Sequence, residues 1–381
     1  MSNMTLTGIT WDHPRGYHPL AATAELYNKQ TGISIEWQIR SLTNFGDQSL
    51  VELANHFDLL IIDHPHTGIA ARTKCLVPFE ELLPAETLSE LKDQTAGPCF
   101  SSYHYKEHQW ALPVDAAMQC AAYRPDLLDD LNLPENWPEV FALTDSLKKK
   151  GYWTGTALCP TDCLCSFLSI TAQSGAPIRE GNDLLVPRKT GLKALDLLRY
   201  MRDNFHPECI NWNPVQLYDY MATRDDIAYS PLAFCYTNYS RNGFRKSKLT
   251  YANAPGIVQS VLGGAGIAVS AKSKHISEAA KYAAWVCSGA IQSSVYAIEQ
   301  GQPASIAAWK SEFANKLTGN FFLNTIDGLT NAFVRPKYNG WPAFQQYLGE
   351  TIHAFLKNDT DPLNILDHLQ ERYRQSYLNN E

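Results

Sequence analysis

Apolar and polar residues alternate along the first third of the chain with two different periods. Residues 6–11 alternate as a short strand. Residues 19–30 then carry Leu20, Ala24 and Tyr27 at helical spacing, and Gly32 supplies a stop. Residues 34–39 alternate as a second strand, residues 49–56 read as a short helix, and the Leu-Leu-Ile-Ile run between Asp58 and Asp63 suits a strand buried on both faces. This β-α-β-α-β order predicts a parallel sheet, with its ligand-accepting edge beyond the carboxyl ends of the strands.

Farther along, residues 76–83 form a connecting region and residues 103–110 a hairpin, with short strands at 111–114 and 120–123. Helical spacing marks residues 134–150, 164–174, 190–204 and 214–223, and residues 227–236 are extended. A glycine-opened strand covers residues 263–270, an amphipathic helix follows at 275–288, and the C-terminal tail is helical. No short repeat or low-complexity linker separates these parts, so strands crossing between two lobes would have to join them.

The 381 residues suffice for two or three cores, and 45% hydrophobic with 19% charged residues is the balance of an ordinary globular protein. No apolar run is long enough to span a membrane, so no membrane insertion is expected. A net charge of −7 gives no field that would gather polyanions, which excludes nucleic acid as a general partner. The chain reaches strand-like sequence at about its fifth residue with no leader pattern before it. Its nine cysteines are scattered, mostly among apolar neighbours, and match no paired zinc spacing. These two features place the protein in the cytoplasm as the sequence stands, or in the periplasm if a leader was removed.

Two Asp-His-Pro elements follow strands of the predicted parallel sheet, so the same edge should receive both. They contribute Trp11, Asp12, His13, Arg15 and Tyr17 from the first, and Asp63, His64 and His66 from the second. A guanidinium, carboxylates and imidazoles that titrate near neutrality could hold an acid or a hydroxyl-rich solute, or move a proton. The bland reading is turn-shaping by Asp and Pro. His64 and His66, read as extended, would face opposite ways, and no metal or other cofactor is expected. Thr161 and Asp162 precede a helix, while Tyr236, Asn238, Tyr239 and Arg241 end a strand, and such amide and aromatic groups suit a polar organic ligand. Gly-x-Ser-x-Gly, His-Glu-x-x-His and the dinucleotide glycine fingerprint are all lacking.

The order of four segments resembles the family 1 extracellular solute-binding proteins, the sugar-type receptors of bacterial ABC importers. They are Thr31-Gly-Ile-Ser-Ile-Glu36; Gln109-Trp-Ala-Leu-Pro-Val-Asp115 with Ala122-Tyr-Arg-Pro-Asp-Leu127 and Asn132-Leu-Pro-Glu-Asn-Trp-Pro-Glu-Val140; Gly263-Gly-Ala-Gly-Ile-Ala-Val-Ser270 with Gly301-Gln-Pro-Ala304; and Arg335-Pro-Lys-Tyr-Asn-Gly-Trp341. The resemblance implies an α/β, two-lobed periplasmic-binding-protein-like fold of type II, its mixed sheets flanked by helices around a hinged ligand cleft. Lobe 1 would take residues 1–113 and 261–305 and lobe 2 residues 116–258 and 316–381, with crossovers near 113–116 and 258–261. It further implies that Asp115 lines the cleft wall and that backbone at Gly263 and Gly264 approaches the ligand.

The function expected is reversible binding of a small carboxylate- or hydroxyl-bearing solute by a monomer, with an ABC permease as partner if the protein is exported. The alternative is a cytosolic lyase, hydrolase or transferase on the same scaffold. His13, His64 or His66 would then be acid or base, oriented by Asp63 or Asp12. Less favoured is a nucleophile among Cys99, Cys120 and Cys159, as in thiaminase I, whose fold is similar.

Overall fold

In the computed structural model, which describes residues 4–128, 132–256 and 259–378, the chain divides into two compact units. Unit 1 comprises Met1–Ala116, Gly263–Leu317 and Lys337–Asn339; unit 2 comprises Ala117–Leu262, Thr318–Pro336 and Gly340–Glu381. Val258, named in the second expected crossover, lies outside the described residues, as do the expected lobe ends at 1–3 and 379–381.

Unit 1 opens with β1 (Thr5–Trp11), α1 (Pro14–Thr31), β2 (Ser34–Arg40), α2 (Leu42–Asp47), α3 (Leu50–His56) and β3 (Leu59–Ile62). β1 pairs in parallel with β2 on one side and β3 on the other. All four residues of β3 are buried, as its unbroken apolar sequence requires. α1 starts five residues earlier than the expected helix. His13 caps it by accepting the Arg15 N–H, Pro14 takes the first turn where no N–H is needed, and Pro19 falls inside the helix. Gly32 ends it at φ 78°.

Next come α4 (Thr67–Thr73), α5 (Ala85–Asp93), α6 (Cys99–Ser102), the hairpin of β4 (His104–Tyr105) and β5 (His108–Gln109), and β6 (Leu112–Tyr123). β6 is one twelve-residue strand where the sequence predicts two. Asp115 reads as a break in the apolar pattern, yet it stays in the strand because Arg15 neutralises it. β6 carries the chain into unit 2, where α7 (Trp137–Lys149), β7 (Trp153–Thr154), α8 (Pro160–Gln173), α9 (Arg188–Asn204), α10 (Pro214–Thr223), β8 (Ile227–Phe234) and β9 (Thr250–Ala252) follow. β6 pairs antiparallel with β8 and with β9, and β7 joins β8 in parallel.

β10 (Leu262–Val269) returns to unit 1 and pairs antiparallel with β3, making that sheet mixed with the order β2-β1-β3-β10. α11 (Ile276–Cys287), α12 (Gly289–Ile291), α13 (Ile306–Lys310) and α14 (Glu312–Leu317) complete unit 1. α15 (Phe321–Thr330), α16 (Trp341–Asn358) and α17 (Pro362–Leu378) complete unit 2. Leu6, Leu59, Ile61 and Ile267 from the sheet meet Leu20, Ala24 and Tyr27 of α1 and Tyr282 of α11 in one core on unit 1's sheet. On a second core, Leu60 and Ile62 meet Leu50 and Leu53 of α3. The sheet is thus covered on both faces, and what it leaves for chemistry is its carboxyl edge.

Candidate functional site

β1 and β3 lie side by side and parallel, so Asp12-His13 and Asp63-His64 leave the sheet at the same edge. The local backbone fixes the rings there. His13 is buried at the cap of α1, and its Nδ1 accepts the Arg15 N–H at 3.1 Å, so in the neutral ring the proton is on Nε2. Asp63 caps a 3-10 turn, His64–His66, by accepting the His64 N–H at 2.9 Å. His66 places Nδ1 at 3.2 Å from the Asp63 carbonyl, which makes Nδ1 the donor and Nε2 an acceptor in the neutral ring. This turn corrects the extended conformation expected for His64 and His66. Pro65 presets a helical φ at the second position, and both rings are buried. Among the described residues no three His, Cys, Asp or Glu side chains gather as a metal site.

Arg15 and Asp115 form the electrostatic centre of unit 1. Arg15 Nε donates to Asp115 Oδ2 at 2.8 Å and Nη2 to Oδ1 at 2.5 Å, with both side chains buried. Burial pushes the Asp115 carboxyl up, and the guanidinium opposes it. Gly264 stands behind this pair at φ 100°, with no room for a Cβ against the Asp115 carbonyl oxygen. Gly263 precedes it, half-buried in β10. Trp11 is buried, Asp12 is exposed, and Tyr17 is exposed on the first turn of α1.

Arg40, which sequence reasoning does not single out, belongs to this edge too. It ends β2 in register with Trp11, and its guanidinium reaches across the end of β1 to the Ile61 carbonyl of β3, donating from Nη2 at 2.7 Å. Its only signal along the chain is a basic residue closing an alternating strand.

In unit 2, Thr161 is exposed at the start of α8, while Asp162 beside it is buried and accepts the Cys159 thiol at 3.0 Å. Burial raises the Asp162 carboxyl to about 7, although the thiol's hydrogen bond favours its ionised form. Tyr236, Asn238 and Tyr239 are buried at and after the end of β8, and Arg241 is half-buried. Tyr239 turns its hydroxyl into the unit's own framework, donating to Asp219 Oδ1 at 3.0 Å, which Arg245 also holds. That leaves Tyr239 a framing role. Tyr236 has its carbonyl held by the Tyr251 hydroxyl at 3.0 Å, which fixes the backbone from which Asn238 follows.

All nine cysteines are free thiols, eight buried and Cys159 half-buried. Burial pushes the Cys99, Cys120 and Cys159 thiols up, which disfavours their thiolate form.

Among solved structures, an ABC transporter solute-binding protein from Agrobacterium radiobacter K84 in complex with ribitol is 19% identical with a TM-score of 0.84, each chain covered to 98%. One from Thermotoga lettingae TMO, bound with α-D-tagatose, is 18% identical with a TM-score of 0.82, over 98% of this chain and 100% of that one. Maltose-bound MalE3 of T. maritima is 16% identical with a TM-score of 0.82, over 97% and 98%. At such identities these likenesses establish the fold: an α/β periplasmic-binding-protein-like fold. No curated protein sequence matches the chain. The family described as bacterial extracellular solute-binding protein matches residues 22–308, and the chain belongs to that family.

Proposed function

We propose that this solute-binding protein is a receptor for a small hydroxyl-rich solute of the sugar or polyol class. The observation that carries the reading is the placement of His13 and His66 after two adjacent parallel strands, at one sheet edge, each ring held by a local backbone hydrogen bond. Imidazole rings can pair with hydroxyl groups as donor or as acceptor. A hydroxyl group, itself donor and acceptor, is complementary to both. Trp11 and Tyr17 supply apolar faces for the carbon skeleton. The ribitol, tagatose and maltose held by the solved structures of this fold support the class of solute.

Arg15 is matched in charge by Asp115, so the buried pair presents no bare cation. On this reading Asp12, Asp63, His64, Asp115, Gly263 and Gly264 shape unit 1's share of the site. Within unit 2 the candidate contacts are Thr161, Asp162, Tyr236, Asn238 and Arg241. The extracellular character of the family supports placement outside the cytoplasmic membrane, with the solute handed to an ABC permease. No described helix is long and apolar enough to cross a membrane.

A thermal-shift screen of pentitols, hexitols, aldoses and short oligosaccharides should raise the melting temperature by several degrees with at least one member, and that member should be recovered unchanged. A screen silent on folded protein contradicts the reading. Cell fractionation reads the compartment, where recovery in the cytosol would restore the placement expected from the thiols.

A further inference from the structure

The arginines of this protein that are buried against carboxylates are balanced: Arg15 has Asp115, and Arg124 has Asp126 and Asp225. Arg40 is not. Its side chain is 8% exposed, and among the described residues it forms no ion pair. It meets a single backbone carbonyl, that of Ile61, and the ring of Phe45 at 5.4 Å from Cζ. Asp12 lies beside it but binds it only through the backbone, its N–H donating to the Arg40 carbonyl at 2.7 Å. Among the described residues the buried Nε of Arg40 has no acceptor, nor has the indole Nε1 of Trp11, its register partner, whose ring lies 5.3 Å from the same Phe45.

A buried guanidinium without a counter-charge is an expensive arrangement, because desolvation is not repaid. Burial brings the Arg40 pKa down to about 10, which leaves it cationic at neutral pH. Two N–H donors without acceptors and an unbalanced positive charge at the carboxyl edge of the sheet are complementary to an oxyanion. We infer that Arg40 selects an anionic solute, a sugar or polyol bearing a carboxylate or phosphate, over its neutral parent. The inference rests on the receptor reading and adds the charge of the ligand to it. A planar guanidinium can bind either oxyanion with two N–H groups, so both are arms of the test.

Calorimetry would compare aldoses and alditols with their aldonates, uronates and sugar phosphates, on the wild-type protein and on Arg40→Gln and Arg40→Lys. An anionic member should bind at least tenfold tighter than its neutral parent. Arg40→Gln should erase that margin while keeping the parent's affinity within about threefold, and Arg40→Lys should retain part of it. Carboxylate and phosphate arms identify which oxyanion is preferred. If neutral members bind as tightly as their anionic counterparts, the inference falls and the receptor reading stands. The wild-type comparison decides between these outcomes even where Arg40→Gln fails to fold. A margin that survives Arg40→Gln in folded protein also overturns the inference, by assigning Arg40 only the task of tying β2 to β3. If no member of either class binds, both readings fall.

Discussion

Arg15 and Asp115 stand 100 residues apart in the chain and meet through two hydrogen bonds, Nε to Oδ2 at 2.8 Å and Nη2 to Oδ1 at 2.5 Å. The pair ties the first turn of α1 to the first residues of β6, within unit 1. A buried pair of this kind is weak evidence for net stabilisation, but removing one partner strands the other's charge in a desolvated place. Arg15→Met or Asp115→Leu alone should therefore destabilise the protein by about 3–5 kcal/mol. The double variant should cost clearly less than the sum, as read from urea unfolding in a double-mutant cycle. Additive costs would mean that the two groups do not depend on each other.

Gly264 and Gly32 both have positive φ, yet they differ in what surrounds them. A Cβ at Gly32 would meet open space, whereas at Gly264 it would collide with the Asp115 carbonyl oxygen. Alanine at position 32 should cost about 1 kcal/mol from conformation alone. Alanine at position 264 should cost at least twice that and weaken solute binding, because β10 or β6 must shift beside the Arg15 pair. Equal melting temperatures for the two variants would deny the close approach.

Asp162 gives a pH dependence of definite sign. Its ordinary carboxyl value is 3.8 and burial raises it to about 7, so between these values the native state holds a proton that the unfolded state has lost. Stability should be highest at the acid end of that window and fall as pH rises toward 7, levelling off above it, by up to about 4 kcal/mol. Asp162→Asn, which cannot ionise, should flatten the profile and gain stability over wild type at pH 8. A wild-type profile that rises between pH 4 and 7, unchanged by the substitution, would contradict the assignment.

The free thiols make a kinetic prediction. Denatured protein should titrate nine reactive thiols. The native protein should react slowly at all of them, with half-buried Cys159 the first to respond, because burial raises the thiols and denies access. Rapid native modification of several cysteines would mean that unit 2's core is open.

How much of the fold and site is legible in the sequence depends on whether a signal is local. Alternation and Gly32 locate β1, β2, β3 and the end of α1, because period and φ are properties of a few neighbouring residues. The parallel pairing that brings His13 and His64 to one edge follows from the β-α-β order. What local signals hide is charge pairing over distance. Asp115 reads as the end of a strand because its partner is in α1, and Arg15 reads as an anion-binding group because its partner is in β6. Pro19 suggests a helix start because the cap formed by the His13 ring cannot be read from composition. Arg40 escapes notice because a basic residue at a strand end is usually solvated, and only the fold lays it across β1 to Ile61.

That the edge formed by the ends of β1 and β3 binds a hydroxyl-rich solute is tested most directly by titration calorimetry. The solute found by screening would be titrated into the wild-type protein and into His13→Ala and His66→Ala proteins whose circular dichroism is unchanged. The wild type should bind it with micromolar or tighter affinity, and each variant should lose at least tenfold, since both rings stand at the edge assigned to the solute. Wild-type affinity retained in both folded variants would contradict this assignment of the site.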